Sequence, residues 1–316
     1  MIYICIPALN EEPTIGVLLW RVRQVMAEFR RDYHLIVLDD GSTDATAEVL
    51  EPYTRVLPLD VIRNPTTQGY AAAVDRLLRE AVAHSTHPKR DAVVLLQGDF
   101  TEPPEEIPTL VRKLEGGADV VGSTVGEVVG EVARGMRWSR RGLPWLLSRA
   151  ALPKDAGDPF SGFRAYRVQV VRRALADRAG QPLLTRDGWA ANAELLLAVA
   201  PHSRRADEAT VGLRYTRRQR ESRFRAWPAV RETWDLARRA PRRERLVSVE
   251  AAVAVEAPPS PAPPRAPREA ERGEGRRRAP QAPASGMESE DGNAAVENKP
   301  RPRRRGPRGR GRRPAG

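Results

Sequence analysis

The stretch Leu35-Ile36-Val37-Leu38-Asp39-Asp40-Gly41-Ser42-Thr43-Asp44 decides the fold. Its four consecutive apolar residues predict a strand buried on both faces, because a strand with one wet face alternates apolar and polar residues. Ser42 to Asp44 then offer N-cap candidates for a helix over 45–50. The stretch therefore predicts a strand, a polar turn and a helix in succession.

The same unit recurs along the chain. The predicted strands cover 2–6, 35–38, 56–62, 93–96, 160–166 and 210–215, and the predicted helices begin near 15 and cover 45–50, 70–83, 133–151, 168–178 and 189–200. Strands that alternate with helices favour a mostly parallel sheet covered on both faces. The fold class is therefore α/β.

Composition divides the chain into two parts. It has 316 residues and a net charge of +12, of which +4 falls in residues 1–240 and +8 in residues 241–316. From Pro241 onward there is no Phe, Trp or Tyr, and such a stretch cannot bury enough apolar surface to offset its chain entropy. We expect one domain over 1–240 and a disordered, basic, Pro/Ala/Arg-rich tail over 241–316.

Cysteine content and hydropathy indicate the compartment. The only cysteine is Cys5, which excludes an internal disulfide framework. The first residues lack the basic region and apolar run of a signal peptide, and no apolar stretch is long enough to cross a membrane. We expect a cytoplasmic protein that is not membrane-spanning.

Polar clusters follow three of the predicted strands. They are Asn10-Glu11-Glu12, Asp39-Asp40, and Gln97 with Asp99. Ligands of such sheets bind at the carboxyl ends of the strands, and carboxylate oxygens suit a divalent metal whose remaining ligands come from phosphates. The clusters thus predict a nucleotide and metal site, although Asp40 to Asp44 is equally typical of plain turn and cap chemistry.

Five motifs, taken in order, resemble the landmarks of family 2 glycosyltransferases. The closest likeness is to the dolichol-phosphate (polyprenyl-phosphate) mannosyltransferase branch, and it covers about Met1 to Phe224. The motifs are Ile6-Pro7-Ala8-Leu9-Asn10-Glu11-Glu12, Asp39 to Asp44, Gly69-Tyr70-Ala71-Ala72-Ala73, Asp158-Pro159-Phe160-Ser161-Gly162-Phe163-Arg164, and Tyr215 to Arg223. The resemblance implies a GT-A type nucleotide-sugar-binding fold.

The resemblance also implies which residues bind the donor. These are Pro7, Ala8, Asn10, Glu11, Asp39, Asp40, Gly69 and Gln97. Asp99 takes the last position of the family's Asp-x-Asp motif, which holds Mg²⁺ or Mn²⁺ and is catalytic. Gln97 replaces the first Asp, so the metal ligands become Asp99 and Gln97, with one negative charge fewer. A chain that has lost catalysis is the alternative.

On the acceptor side, Ser161 and Arg164 match a family signature, and Arg218 and Arg223 match the basic residues that reach the donor diphosphate. Arg164 could equally pair with Asp158. Further acceptor candidates, Arg137 and Arg140, precede the apolar run at 143–147. A basic and aromatic stretch suits a lipid phosphate at the cytoplasmic face of a membrane, whereas core packing explains its apolar residues as well.

The predicted activity is transfer of mannose or glucose from a nucleotide sugar to polyprenyl phosphate, with metal assistance and inversion. A soluble acceptor is a variant of this hypothesis, and a non-catalytic module that binds a nucleotide sugar or RNA is the rival class. The Arg-rich end of the tail attracts polyanions, and without aromatic residues any RNA binding would be largely independent of sequence. Because acidic residues are spread through the rest of the tail, we expect a membrane surface, or no fixed partner, rather than RNA.

Overall fold

The computed structural model describes residues 1–129, 142–153, 155–214 and 226–241. Its strands are β1 (Ile2–Ala8), β2 (Tyr33–Asp39), β3 (Leu59–Arg63), β4 (Ala92–Leu95), β5 (Val120–Val129), β6 (Arg164–Arg167) and β7 (Ala206–Arg214). Its longer helices are α1 (Glu12–Phe29), α2 (Thr46–Leu50), α3 (Tyr70–His84), α4 (Ile107–Glu115), α5 (Val168–Asp177), α6 (Trp189–Val199) and α7 (Ala226–Arg239). Three single turns of 3-10 helix lie at Glu51–Arg55, Pro104–Glu106 and Ala200–His202.

The strands form one seven-stranded sheet in the order β3-β2-β1-β4-β6-β5-β7. β1 pairs in parallel with β2 and with β4, and β3 and β7 also pair in parallel with their neighbours. Only β6 runs the other way, between β4 and β5. The predicted α/β fold with a mostly parallel sheet is confirmed.

The sheet is buried on both faces, as its continuous apolar strands predict. In β1, Ile2, Ile4 and Ile6 pack into one cluster with α1 and α4, whereas Tyr3 and Cys5 pack into the opposite cluster with α3, α5 and α6. A smaller third cluster joins the segment 142–150 to α6 and α7. Helices therefore cover both faces of the sheet, and the ends of the strands remain available to a ligand.

Two predicted strands begin later than expected. The strand predicted from residue 56 begins at Leu59, because the N–H groups of Val56 and Leu57 donate to the carbonyl of Tyr53 in a turn. The strand predicted from residue 160 begins at Arg164. In the residues before it, the Asp158 carboxylate accepts the Phe160 N–H at 2.9 Å and holds a turn instead.

The sequence patterns do not predict β5, α4 or α7, and part of the predicted helix over 133–151 lies outside the described residues. Within that range, residues 142–146 are helical. The predicted disordered tail, apart from Pro241, also lies outside the described residues.

Gly122 in β5 lets the segment 155–158 cross the strand in close contact. A Cβ at Gly122 would lie 1.7 Å from the carbonyl oxygen of Ala156, which no side chain can tolerate. Beside it, Asp158 N–H donates to the carbonyl of Ser123 at 3.0 Å. This contact positions the turn that carries Ser161 beside β5 and directly before β6.

We predict that Gly122→Ala lowers the free energy of unfolding by about 3 kcal/mol, because the crossing segment must move away from the strand. Denaturant unfolding measures the change. The matched control is Gly142→Ala, since a Cβ at Gly142 would meet no atom of the described residues within 4 Å. Equal stability of the two variants would contradict the close packing described here.

Candidate active site

The carboxyl ends of β1, β2 and β4 are tied together by short contacts. The N–H of Asp40, after β2, donates to the carbonyl of Ala8 in β1 at 2.9 Å. On the other side, Gly98 lies after β4, and a Cβ there would sit 3.2 Å from the Pro7 carbonyl oxygen. Thr14 Oγ1 in α1 also donates to the Gly98 carbonyl at 2.9 Å. The three polar clusters therefore share one crevice, as their positions after parallel strands predict.

Asn10 fastens the loop after β1 to the loop after β2. Its side-chain Oδ1 accepts the N–H of Thr43 at 2.8 Å, and its own N–H donates to Ser42 Oγ at 2.8 Å. Asn10 has φ 50°, in the left-handed region that Asn tolerates better than most residues. The next residue, Glu11, is buried, and its N–H donates to Thr46 Oγ1 at 2.8 Å. Residues 42–46 therefore hold the turn after β2 against the loop after β1, as the turn interpretation of this stretch predicts.

Asp40 is a buried carboxylate whose oxygens are used within the protein. Oδ1 accepts hydrogen bonds from Asn64 Nδ2 at 2.7 Å and from Gln68 N at 2.9 Å, and Oδ2 accepts one from Gly69 N at 2.9 Å. These bonds draw the loop 64–69 against the end of β2. Gly69 has φ 96°, a conformation that glycine adopts at little cost, and α3 begins directly after it.

Asp39 differs from Asp40 because one of its two carboxylate oxygens accepts no hydrogen bond from the described residues. The residue is 0% exposed, and Oδ1 accepts the Ser42 N–H at 2.9 Å. Oδ2 has no hydrogen-bond partner among the described residues, although Arg63 Nε lies 3.4 Å away in an ion pair. A buried carboxylate oxygen in this state suits an N–H donor supplied by a ligand.

Asp99 and Gln97 flank Gly98 at the end of β4. Asp99 is 2% exposed, and its Oδ1 accepts both the N–H and the Oγ1–H of Thr101, at 3.1 and 2.6 Å. Glu102, also buried, accepts the Gln97 N–H at 2.9 Å. Two buried carboxylates and one amide oxygen, all hard donors, fit Mg²⁺ or Mn²⁺ better than a softer metal.

The Gln97 side chain faces the turn on the acceptor side. A Cβ at Gly162 would lie 3.1 Å from Gln97 Nε2 and 3.0 Å from the Tyr70 hydroxyl. That hydroxyl donates to Asn192 Oδ1 at 2.8 Å. Burial, and next the negative charge of Glu102, raise the pKa of Tyr70 well above its usual range, so the hydroxyl stays protonated as a donor. Tyr70 therefore connects the loop 64–69, which carries the predicted donor residue Gly69, to the turn at 158–163, the predicted acceptor turn.

Ser161 and Arg164 hold the acceptor turn from inside. Arg164 is 0% exposed, and its guanidinium donates to the backbone carbonyls of Asp158 and Asn192. The alternative ion pair is therefore replaced by a contact with the Asp158 backbone. Ser161 Oγ shares a hydrogen bond of 2.6 Å with Ser123 Oγ. An acceptor-binding role for Ser161 and Arg164 stays a prediction.

Four of the predicted site residues lie outside the described residues. They are Arg137, Arg140, Arg218 and Arg223.

Sequence reasoning missed the support that α6 gives to the site. Asn192 and Glu194 are buried polar residues in an otherwise apolar helix, and that interruption was the available signal. Glu194 accepts the N–H groups of Thr185 and Arg186 at 2.7 and 2.8 Å. The loop held in this way carries Asp187, whose Oδ1 accepts the Ala71 N–H at 3.1 Å in the first turn of α3.

The sequence matches the family described as Glycosyl transferase family 2 over residues 3–175, more than half of the chain. The protein belongs to this family, and the predicted membership is confirmed. The match includes β1 to β6 and the crevice residues described above.

Two curated relatives carry names that include a polyprenyl phosphate. The undecaprenyl-phosphate 4-deoxy-4-formamido-L-arabinose transferase of Pseudomonas fluorescens is 34% identical over 183 residues, which cover 55% of this chain and 49% of the relative. The dolichol-phosphate mannosyltransferase of Pyrococcus furiosus is 31% identical over 187 residues, which cover 57% and 50%. The chain spans about half the length of the curated relatives it matches.

Among solved structures, glucosyl-3-phosphoglycerate synthase from Mycobacterium tuberculosis, in complex with Mn²⁺, UDP-glucose and phosphoglyceric acid, has the same fold. Its TM-score is 0.53 at 22% sequence identity, and the match covers 76% of this chain and 80% of that one. The predicted GT-A fold is confirmed.

Proposed function

We propose that this protein transfers a sugar, mannose or glucose, from a nucleotide sugar to a polyprenyl phosphate, with inversion. The observation that carries the proposal is the crevice at the ends of β1, β2 and β4. There the buried Asp39, one of whose oxygens has no hydrogen-bond partner among the described residues, and the buried Asp99 belong to one connected set of loops. The names of the two curated relatives support the class of acceptor.

On the donor side, Asp39 receives an N–H group of the base. Pro7, Ala8, Asn10 and Glu11 form the wall beside it, because the loop after β1 is fastened to the loop after β2. Asp40 and Gly69 shape the donor site without a direct hydrogen bond to the donor, because the Asp40 carboxylate accepts the Gly69 N–H and holds that loop in place.

Asp99, with the amide oxygen of Gln97, would hold Mg²⁺ or Mn²⁺, and Glu102 lies next to Gln97 as a further carboxylate. When bound, the cation neutralises charge on the donor diphosphate as it leaves. Mg²⁺ commonly uses one or two carboxylates together with substrate phosphates, so the single carboxylate left in the motif is sufficient.

A phosphate acceptor needs cationic partners more than a general base, because a phosphate monoester is already ionised at neutral pH. One of its oxygens attacks the anomeric carbon as the bond to the donor diphosphate breaks, and the electron pair leaves with the diphosphate. We assign Arg218 and Arg223 to the diphosphate, and Arg137 and Arg140 to the acceptor phosphate. Ser161 and Arg164 hold the turn that faces the acceptor.

We further propose peripheral contact with the cytoplasmic face of a membrane. In α7, Trp227, Val230 and Trp234 follow helical spacing and are 79%, 36% and 51% exposed. The opposite side of the helix packs into the third cluster through Leu236. Arg231 lies close to this apolar stripe, and a basic amphipathic helix of this kind lies in the plane of a membrane surface.

Trp145 supports the same surface. It is 75% exposed, whereas Leu143 and Leu147 on either side of it are buried in the third cluster. Core packing accounts for the leucines of the stretch 143–147, and the exposed Trp145 is the residue that supports the proposed membrane contact. Within the part of the chain that the structure describes, no helix is long and apolar enough to cross a membrane.

We predict that Asp39→Asn raises the dissociation constant of the nucleoside diphosphate about tenfold or more, because a hydrogen bond to a charged oxygen contributes about 1.5–3 kcal/mol. Calorimetry in Mg²⁺ measures it. Asp177→Asn is the control, since Asp177 is an exposed carboxylate that pairs with His202 outside the crevice. Unchanged binding by Asp39→Asn would place the base elsewhere.

We predict that Asp99→Asn lowers Mn²⁺-dependent sugar transfer to undecaprenyl phosphate about 100-fold or more and leaves the fold intact, because one carboxylate carries the charge of the metal motif. Radiolabelled GDP-mannose and UDP-glucose are the donors, and EDTA gives the metal-free rate. Gln97→Asp should keep or tighten Mn²⁺ binding, since it restores a charge.

Transfer by Asp99→Asn at the wild-type rate would overturn the metal assignment. A wild-type protein that binds the nucleotide but transfers neither sugar, to undecaprenyl phosphate or to water-soluble phosphate acceptors, would favour the non-catalytic alternative that Gln97 suggests.

We predict that replacing Trp227 and Trp234 together by Ala weakens binding to phosphatidylserine-containing vesicles about tenfold, in high salt as well as low, because the contribution is apolar. Vesicle sedimentation measures it. Trp20→Ala is the control, since Trp20 is 48% exposed on α1.

Removal of residues 242–316 should instead weaken vesicle binding at low salt only, because salt screens charge. Equal binding by the α7 double variant and the Trp20 variant would exclude α7 as the membrane contact. Preferential binding of the tail to RNA would contradict the membrane role of the tail and support RNA as its partner.

A further inference from the structure

Two histidines and an aspartate meet at the edge of the sheet opposite the crevice. His34 stands near the start of β2, Asp60 near the start of β3, and His84 is the last residue of α3. The proposed sugar-transfer site uses the other end of β2, where Asp39 lies. Nothing in that proposed activity therefore employs these three side chains.

The ligand atoms of the three residues are close enough to share one metal ion. His34 Nε2 lies 2.8 Å and His84 Nδ1 lies 3.7 Å from Asp60 Oδ2, and the three ligand atoms all lie within 4.8 Å of one another. Ligands at about 2.0–2.1 Å from a tetrahedral Zn²⁺ stand about 3.4 Å apart. Small side-chain rotations would therefore bring these three atoms into a tetrahedral set.

Packing already orients the two imidazole rings. Their centroids lie 5.5 Å apart at an interplanar angle of 83°, and the Tyr3 ring stands against both of them at 6.4 Å. The Tyr3 hydroxyl donates to the carbonyl of His84 at 2.9 Å, which fixes the end of α3. Three elements thus present their ligands from a supported framework, which lowers the cost of ordering them around an ion.

An adjoining cavity leaves room for a fourth ligand. It has a volume of about 400 Å³ and is lined by Asp60 and His84 together with Glu80, one helical turn before His84. A site with three protein ligands and one open position takes water, or a small ligand, as its fourth group. Asp60 alone would not neutralise a divalent cation, and Glu80 adds a second negative charge beside the site.

We propose that His34, Asp60 and His84 form a transition-metal site of the zinc class that braces β2, β3 and α3. Two imidazoles and one carboxylate favour Zn²⁺ or Co²⁺ over Mg²⁺, which prefers oxygen ligands. The site is thus distinct in its chemistry from the oxygen set at Asp99 and Gln97. A bound ion joins the edge strand β3 to its neighbours, so it stabilises the folded chain.

The test is a Zn²⁺ titration of the full-length, EDTA-treated protein by calorimetry, with Co²⁺ visible absorption as a second reading of coordination. Wild type should bind one Zn²⁺ saturably, and its Tm should rise by about 5 °C or more in excess Zn²⁺. His84→Gln and His34→Gln should each weaken binding on the order of 100-fold and abolish the Tm rise.

The chain offers a matched control. The sequence has four histidines, and His202 pairs with Asp177 at 2.9 Å in the same manner, but no third ligand joins them among the residues that the structure describes. His202→Gln should therefore bind Zn²⁺ as wild type does, and so should Asp99→Asn, which alters only the crevice. Unfolding in EDTA shows whether each variant is folded.

Three results would overturn the proposal: no saturable binding by wild type, equal loss in the His84 and His202 variants, or loss of Zn²⁺ binding in Asp99→Asn. The second result would show adventitious binding to surface histidines, and the third would place the ion in the crevice.

Discussion

The crevice depends on one buried carboxylate, that of Asp40, because the hydrogen bonds it accepts position the loop 64–69 against the end of β2, where predicted donor residues lie. A buried charge without hydrogen bonds is costly, and here the cost is met by donors from Asn64, Gln68 and Gly69. Asn64 in turn accepts a hydrogen bond from Arg76 Nη1 at 2.7 Å. Asn64 therefore links the Asp40 carboxylate to a positive charge. Asp39, beside it, is left with one oxygen that has no hydrogen-bond partner among the described residues.

The parts of the fold that the sequence predicts are those with a local cause. β1, β2 and β4 are continuous apolar runs because both faces of the sheet are covered, and the polar clusters that follow them meet because parallel strands end at one edge. The direction of β6 has no local cause: Arg164 to Arg167 pair with β4 and β5 from far along the chain. Phe160 is apolar like a strand residue, but its backbone N–H donates to the Asp158 carboxylate, which holds it in a turn.

The same distinction applies to the site. Asp39, Asp40 and Asp99 could be singled out because each stands at a strand end. The sequence does not show that Asp40 is fully hydrogen-bonded while Asp39 retains an oxygen without a hydrogen-bond partner among the described residues. That difference depends on where the loop 64–69 folds back. His34, Asp60 and His84 are separated by 26 and 24 residues in the chain and match no ligand spacing, so only the packing of three elements brings them together.

The order of these contacts along the chain has a consequence for synthesis. The bonds that build the predicted donor side of the crevice, between Asn10 and Thr43, between Asp40 and Gly69 and between Thr14 and Gly98, all close within the first 98 residues. The predicted acceptor side needs β6 to insert between β4 and β5 and so requires residue 167. Because chains are made from the amino terminus and local contacts form fastest, the loops after β1, β2 and β4 can associate on the ribosome before β6 exists.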